Sequence, residues 1–302
     1  MKRGLITWDK TEIPPAVFER RVDRVRRVLG DRDLSALVVY SELWRSNPAR
    51  FFSNYMPYFN RAFLIIPRDL PPTLLCGLSP RVYGWIRSVT TIEDVRPAGN
   101  FAKPLFEIAG ERDWTRIGAL DLDQFPYDLN KAIRSGTVEA VNVESPAVYV
   151  PAEDETELAM RRKAAAMADQ ILSEEMSRGV GSIDHHFVGG LERRFRRAGA
   201  EDLIILLTNG HTVPAPPIGA ILEENYSVSL AVEYRGHWIR LSRPQASSPV
   251  MAECRKQWDS QPGLAERLDG SYPYECRAGG MTARHIEVVV SGKRLFYGET
   301  IL

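Results

Sequence analysis

Hydrophobic positions in the first half of the chain follow two patterns, a helical period and short continuous runs. Over residues 16–29 the apolar side chains recur every three or four positions, which predicts an amphipathic helix that ends at Gly30. The continuous runs are rich in β-branched residues and are bounded by Gly, Pro, Asp or Asn, which predicts buried strands. Helices between such strands are typical of an α/β layer structure. The predicted strands cover residues 37–40, 62–67, 73–77, 117–120 and 138–143.

The second half changes to long helical periods followed by paired strands. Asp154 and Glu157 form a capping-box pattern at the start of a long helix. Arg235-Gly236 is a tight-turn signal between two strands and predicts a β-hairpin. This half is therefore expected to be α+β. Its predicted elements are helices at 154–179 and 182–198, a buried strand at 203–207, and hairpin strands at 226–234, 237–243, 285–290 and 294–302.

The change of pattern falls in residues 146–155, which contain two prolines and a cluster of acids. That composition is typical of a linker between domains. We therefore expect two domains, at residues 1–150 and 151–302.

Composition narrows the class of protein. The chain has 302 residues, with 39 Lys and Arg against 39 Asp and Glu, so the formal net charge is zero and a dedicated nucleic-acid binder is not expected. Its apolar stretches are too short to cross a bilayer, and its N-terminal residues are too polar for a signal peptide. The three cysteines, at positions 76, 254 and 276, are an odd number without paired spacing. They favour a reducing cytoplasm over a disulfide framework or a zinc cluster.

Four stretches of the chain carry a resemblance to a known family. They are residues 47–67 (NPARFFSNYMPYFNRAFLIIP), 155–164 (ETELAMRRKA), 228–243 (VSLAVEYRGHWIRLSR) and 292–302 (GKRLFYGETIL). In this order they resemble the creatinase and Xaa-Pro aminopeptidase (prolidase) family over nearly the whole chain. The first is similar to the family's strand-turn-strand segment, and the third to the hairpin with its first two metal-binding aspartates. The resemblance implies a creatinase-like α/β domain at 1–150 and a shortened α+β pita-bread domain at 151–302.

Departures from the family pattern fall on its metal ligands. Metal-dependent members hold two cations with two aspartates, one histidine and two glutamates. The two aspartates, eleven residues apart, correspond here to Ser229 and Arg240, and a guanidinium repels a cation. The last glutamate corresponds to Gly298, and Glu299 is one position late, which is expected to place it on the opposite face of its strand. Glu287 is near the place of the other glutamate, but one acid cannot hold two metals. The resemblance therefore implies no metal and argues against a metalloaminopeptidase.

Candidate catalytic residues are histidines and an acid expected around the cleft, because an imidazole can move a proton near neutral pH. His237 and Glu233 flank the hairpin turn, and His237 either moves a proton or only packs. His211 lies in a loop where the family carries a substrate-facing histidine, so it either reaches the cleft or faces water. His285 lies on the last predicted hairpin, residues 285–302, and either lines the pocket or packs elsewhere.

Candidate substrate-binding residues are the side chains at or near the former ligand positions. Arg240 either clamps a substrate carboxylate or forms an internal salt bridge with Glu287 or Glu299. Ser229, Glu287 and Glu299 complete this candidate set. No metal and no cofactor are expected.

Two function classes follow from the resemblance. The first is a metal-independent creatinase-like enzyme that cleaves a C–N bond of a small amino-acid-like or guanidino substrate. The alternative is a catalytically inactive aminopeptidase-like subunit with a binding or regulatory role, which the shortened second domain favours. The aromatic-rich residues 51–59, together with the family's habit of pairing through its first domain, predict a homodimer or a heterodimer with a homologue. Neither class involves nucleic acid or a membrane, and the cytoplasm is the expected location.

Overall fold

A computed structural model describes residues 7–43, 45–57, 59–209, 213–260, 282–290 and 293–301. For residues 152, 282–286, 290, 293 and 299–301 only the backbone is described. The chain divides into two compact units, the first ending at Pro151 and the second beginning at Ala152. Within the described ranges, no helix combines the length and the apolar character that crossing a membrane requires.

The first unit is an α/β sandwich of helices on both faces of a six-stranded sheet. The strand order is β4-β3-β2-β1-β5-β6, in which only β2 runs antiparallel to its neighbours. Its strands are β1 (Ala36–Ser41), β2 (Ala62–Pro67), β3 (Thr73–Cys76), β4 (Asp94–Pro97), β5 (Arg116–Leu120) and β6 (Glu139–Val143). Its helices are α1 (Pro15–Asp31), α2 (Asn47–Ser53), α3 (Tyr83–Val89), α4 (Ala102–Glu111), α5 (Tyr127–Arg134) and α6 (Ser145–Val148).

The central strand β1 explains why continuous apolar runs predict this sheet. All of its residues are buried, and alternate side chains enter two different apolar clusters. Leu37 and Val39 pack in one cluster, whereas Val38 and Tyr40 pack in the other. A strand covered on both faces has no polar alternation, which is the pattern of a parallel α/β sheet. The predicted α/β fold class of this half is confirmed.

The strand-turn-strand interpretation of residues 47–67 is wrong in its first part. Residues Asn47–Ser53 form the helix α2, and only the second part is a strand, β2. Pro48 lies in the first turn, where its fixed φ suits a helix and its missing N–H is not needed. Asn54 then ends the helix in the left-handed conformation, at φ 62°, and donates its N–H to the Arg50 carbonyl.

The aromatic segment 51–59 belongs mainly to the core of the first unit. The side chains of Phe51, Phe52 and Tyr55 are 6%, 0% and 0% exposed. Arg21 closes this cluster because its guanidinium lies 4.0 Å from the Phe51 ring centroid and donates to the Phe51 carbonyl at 2.7 Å. Phe59 is exposed, whereas Tyr58 lies outside the described residues. The buried rings therefore give no support to a subunit contact at this segment.

The second unit has helices packed on an antiparallel sheet of strand order β10-β11-β9-β8-β7. Helix α7 begins as the sequence predicts, because the Asp154 carboxylate accepts the N–H groups of Thr156 and Glu157 at 3.0 and 3.1 Å. It then packs against β8 and β9. The elements are α7 (Glu155–Gly179), α8 (Asp184–Arg197), β7 (Asp202–Thr208), β8 (Tyr226–Tyr234), β9 (His237–Gln245), α9 (Ser248–Ser260), β10 (Thr282–Val290) and β11 (Lys293–Ile301).

The C-terminal end of α7 meets the sheet at Gly179, where a side chain would not fit. A Cβ there would lie 2.9 Å from Tyr226 Cζ and 3.1 Å from Phe187 Cδ2. The Tyr226 hydroxyl donates to the Met176 carbonyl, so moving the ring also breaks a buried hydrogen bond. We expect Gly179→Ala to lower the free energy of unfolding by about 1–3 kcal/mol, as measured by urea denaturation. Gly190→Ala is the matched control, because nothing lies within 4 Å of its Cβ and it should be neutral or stabilising. A Gly179→Ala protein as stable as the parent would contradict the close contact between Gly179 and the Tyr226 ring.

Candidate functional site

The hairpin formed by β8 and β9 carries most of the residues that the sequence singles out. Its two-residue turn has positive φ at both positions, 52° at Arg235 and 85° at Gly236, which matches the twist of the flanking strands. The Glu201 carboxylate accepts the Gly236 N–H at 3.0 Å and so anchors the turn. This turn fixes the register of every residue along the hairpin.

The register places Arg240, Glu233 and Ser229 on one face of the hairpin. Arg240 pairs with Ala231, and Ser229 pairs with Ser242. Paired residues of antiparallel strands share a face, and so do residues two apart on one strand. Arg240 and Glu233 are therefore diagonal neighbours, at a spacing that long side chains can span. Ser229 and Arg240, which correspond to the family's two aspartates in the sequence analysis, therefore lie on the same face of the hairpin.

The polar side chains of this face are removed from solvent. Arg240 and Glu233 are both 0% exposed, and Ser229 and Ser242 are 1% and 0% exposed. The two serine hydroxyls are hydrogen-bonded to each other, with 2.8 Å between their Oγ atoms. A buried guanidinium is held only where carboxylates or other acceptors compensate its charge. We call Ser229, Glu233, Arg240 and Ser242 the arginine face.

His237 lies on the other face of the hairpin, against helix α7. Its Nδ1 is 2.7 Å from Glu157 Oε2, and the two residues are 6% and 8% exposed. Arg243 has the same orientation and binds Asp169 of α7, with 2.7 Å between Nη2 and Oδ1. The sequence predicts His237 and Glu233 around one cleft, whereas in the structure they lie on opposite faces of the hairpin. His237 therefore ties the hairpin to α7 instead of sharing the arginine face.

Three further candidates, His285, Glu287 and Glu299, belong to the hairpin of β10 and β11. Gly298 pairs with Ser242 in the sheet, so this residue, and not Glu299, meets the arginine face in the register. Glu287 is bonded to Arg294, with 3.0 Å between Oε1 and Nε. The structure describes the backbone but not the side chains of His285 and Glu299. His211 lies outside the described residues.

Comparison with solved structures identifies the fold. An X-Pro aminopeptidase from Thermotoga maritima superposes with a TM-score of 0.70 at 13% identity, over 92% of this chain and 93% of that chain. A Xaa-Pro dipeptidase from Bacillus anthracis gives 0.66 at 13% identity, over 94% of both chains. A prolidase from Pyrococcus horikoshii gives 0.66 at 13% identity, over 94% and 95%. This chain has the prolidase fold.

The prolidase fold confirms the predicted architecture of an α/β first half and a pita-bread second half. No family model matches the chain, and no curated protein matches it in sequence. At 13% identity the superposition shows the fold alone, and the chemistry depends on the residues of this chain.

The arginine face does not fit the pair of metal ions that the prolidase fold implies. A dication needs carboxylate oxygens to neutralise it, and the corresponding positions hold the hydroxyl of Ser229, the guanidinium of Arg240 and the bare backbone of Gly298. The Ser229 hydroxyl is already bonded to Ser242, and a buried positive charge stands next to it. Across the described parts of the chain, no group of three or more His, Cys, Asp or Glu is arranged to hold a metal. The residues present at these positions therefore do not fit a pair of dications.

Two residues of this site, Ser242 and Glu157, are not among the candidates that the sequence predicts. Counting back along both strands from the two-residue turn places Ser242 directly opposite Ser229. The turn is therefore the sequence signal from which Ser242 could be predicted. Glu157 has the pattern of a capping residue at the start of α7, yet its carboxylate binds His237. No local pattern connects Glu157 with a strand that follows it by 80 positions.

Proposed function

We propose that this protein is a metal-independent, catalytically inactive relative of the peptidases that share its fold, with a binding or regulatory role. The observation that carries the proposal is the complete burial of Arg240 at a position where the family has a metal ligand. In this proposal the guanidinium supplies the positive charge of that region in place of the metal ions.

Electrostatics supports metal independence. Two like unit charges 4 Å apart repel by about 4 kcal/mol at an effective dielectric constant of 20, and a dication doubles that value. An arginine is charged at any pH that a protein tolerates, so it cannot give way to the cation by losing its proton. Hydroxyls of Ser229 and Ser242 offer no negative charge to offset this repulsion.

The place of His237 supports catalytic inactivity. General acid–base chemistry needs a proton-transfer group within hydrogen-bond reach of the reacting atoms. The Glu157 carboxylate holds His237 on the α7 side of the hairpin, away from the arginine face. A creatinase-like hydrolase on this chain would therefore depend on His211 or His285, and that alternative is an outcome of the test below.

We expect the purified chain to hold no stoichiometric metal and to release no proline from Xaa-Pro dipeptides. Metal content is measured by elemental analysis after dialysis against Mn²⁺, Co²⁺ or Zn²⁺, and proline release is measured with the same ions present. About two metals per chain, or metal-dependent hydrolysis, would overturn metal independence.

A parallel assay distinguishes inactivity from metal-free chemistry. Creatine and other guanidino or N-substituted amino acids are incubated with the protein and a chelator, and products are followed by mass spectrometry. Turnover would refute the inactive reading and favour the creatinase-like hydrolase. In that case His211→Asn and His285→Asn should abolish turnover, whereas the exposed His186→Asn should not.

A further inference from the structure

A crevice lies at the carboxyl ends of β3 and β4 in the first unit. The two strands are adjacent and parallel, but the helices that follow them pack on opposite faces of the sheet. Ile86 of α3 belongs to the apolar cluster of one face, whereas Leu105 of α4 belongs to the cluster of the other. Neighbouring parallel strands whose connections diverge in this way form a crevice at their carboxyl ends, and α/β proteins bind ligands at such switch points.

A cavity of about 520 Å³ occupies this crevice. Sites for small molecules in proteins have volumes of about 300–1,000 Å³, are mostly apolar and carry a few polar groups. The loop after β3 lines the cavity at Gly77, and the loop after β4 lines it at residues 98–101. Phe101 and, from α5, Leu129 are buried and give the cavity an apolar wall. We call it the switch-point cavity.

Arg61 and Asp128 place opposite charges next to each other at the switch-point cavity. Arg61 Nη1 is 3.7 Å from Asp128 Oδ2, and the two side chains are 45% and 69% exposed. An exposed ion pair of this length contributes little to stability, so a ligand can replace it at small cost. A cation beside an anion is complementary to a carboxylate beside an ammonium group, which a free α-amino acid carries on a single carbon. The charged ends of an extended dipeptide are about 7 Å apart and match this arrangement less well.

Hydrogen bonds hold the polar part of the lining in place. The Asn60 side chain donates to the Gly77 carbonyl at 2.7 Å and accepts the Arg61 N–H at 2.8 Å. It therefore ties the segment that carries Arg61 to the end of β3, which lowers the entropy cost of binding. Gly99 leaves the cavity open, because a Cβ at this position would meet no atom within 4 Å.

We propose that the switch-point cavity binds a free α-amino acid with an apolar side chain. Arg61 binds the carboxylate of this ligand, Asp128 binds its ammonium group, and Phe101 and Leu129 pack against its side chain. The proposal goes beyond the binding or regulatory role proposed above, because the cavity lies wholly within the first unit and the arginine face belongs to the second. Its failure would therefore leave the proposals on metal and catalysis unchanged.

Isothermal titration calorimetry of the full chain tests the class of ligand. We expect L-leucine and L-phenylalanine to bind with a Kd below about 1 mM and at least about tenfold more tightly than glycine, because their side chains leave water. N-acetyl-L-leucine lacks the ammonium charge and L-leucinamide lacks the carboxylate, so each should bind at least about tenfold more weakly than L-leucine. No binding of L-leucine and L-phenylalanine at about 10 mM would overturn the proposal. So would a Kd for glycine, or for either derivative, that equals the Kd for L-leucine.

Gly99→Leu tests the place of binding, because it fills the switch-point cavity and leaves the charged groups unchanged. We expect it to weaken L-leucine binding at least about tenfold. Gly84→Leu is the matched control, because a Cβ at Gly84 also meets no atom within 4 Å and this residue of α3 is not part of the lining. It should bind L-leucine with the parent's Kd.

Asp128→Asn provides a second arm at an exposed side chain. We expect it to raise the Kd for L-leucine about tenfold, because the ammonium group of the ligand loses its counter-charge. Circular dichroism confirms that each variant is folded, and the Asp128→Asn result decides if Gly99→Leu is not. A folded Gly99→Leu protein, or an Asp128→Asn protein, that binds L-leucine with the parent's Kd would overturn the proposal.

Discussion

Arg240→Met is expected to lower the free energy of unfolding by about 3–5 kcal/mol, the range measured when one member of a buried ion pair is removed. Arg240 and Glu233 are both fully buried and diagonal to each other on one face of the β8–β9 hairpin. Methionine fills much of the same volume but carries no charge, so the loss reports on whichever buried group compensates the charge of the guanidinium. Urea denaturation with circular dichroism measures the effect.

A double variant tests whether Glu233 is the counter-charge. Arg240→Met combined with Glu233→Met should recover most of the lost stability, because a buried ion pair can often be replaced by apolar residues at little cost. Arg178→Met is the surface control, since Arg178 is 68% exposed and pairs with Glu175, and it should change stability by less than about 1 kcal/mol. Full stability of the single variant would show that the buried guanidinium is dispensable. A double variant no better than the single one would assign the counter-charge to another residue.

Asp184→Asn is expected to lower the free energy of unfolding by about 2–3 kcal/mol at pH 7. Asp184 is 3% exposed and is the first residue of α8, where its carboxylate accepts two backbone N–H groups of the loop at residues 213–222. Asparagine keeps one acceptor oxygen but loses the negative charge that both the N–H groups and the helix N-terminus favour.

The contribution of Asp184 should depend on pH with a definite sign. Burial raises the pKa of this carboxyl, but hydrogen bonds from the backbone N–H groups of Ile218, Gly219, Ala220 and His185 outweigh burial, and the net pKa is lowered. A lowered carboxyl pKa adds stability that is fully present above the unfolded value near 4 and is lost as the pH falls through the folded value. The stability difference between the parent and Asp184→Asn should therefore shrink below about pH 4.

Urea midpoints at pH 7 and pH 3 measure this dependence. Asp128→Asn is the control, because the Asp128 side chain is 69% exposed and its substitution should give no comparable difference at either pH. A gap between the parent and Asp184→Asn that stays constant with pH would contradict the charged role of the Asp184 carboxylate.

Local pattern predicts the elements of this fold where period and turn chemistry agree. The strands at 62–67 and 226–234 have their predicted bounds, because the first is a pure apolar run and the second ends at a turn that needs positive φ. Helix α2 is missed because seven residues with adjacent phenylalanines show no helical period, and only Pro48 and Asn54 mark its ends.

The part of the candidate site that can be predicted is the part fixed by the register of the β8–β9 hairpin. The turn at Arg235-Gly236 is enough to place Ser229 and Arg240 on one face. It also places His237 on the other face, but the partner of His237 depends on how α7 is rotated about its own axis. That rotation is set by packing along the whole helix and not by any motif near Glu157, so the pair of His237 with Glu157 is visible only in the structure.

The position of β1 in the first sheet has a consequence for the newly made chain. Its antiparallel neighbour β2 follows closely, whereas its parallel neighbour β5 begins only at Arg116. At about 5–20 residues per second, the ribosome needs several seconds to make the stretch between β3 and the end of β5. During that time one edge of a strand that is entirely buried in the folded sheet has no partner, which is the condition under which strands pair with other chains. A released fragment that ends before Arg116 should therefore aggregate or bind chaperones, whereas one that ends after Val143 contains every strand of this sheet.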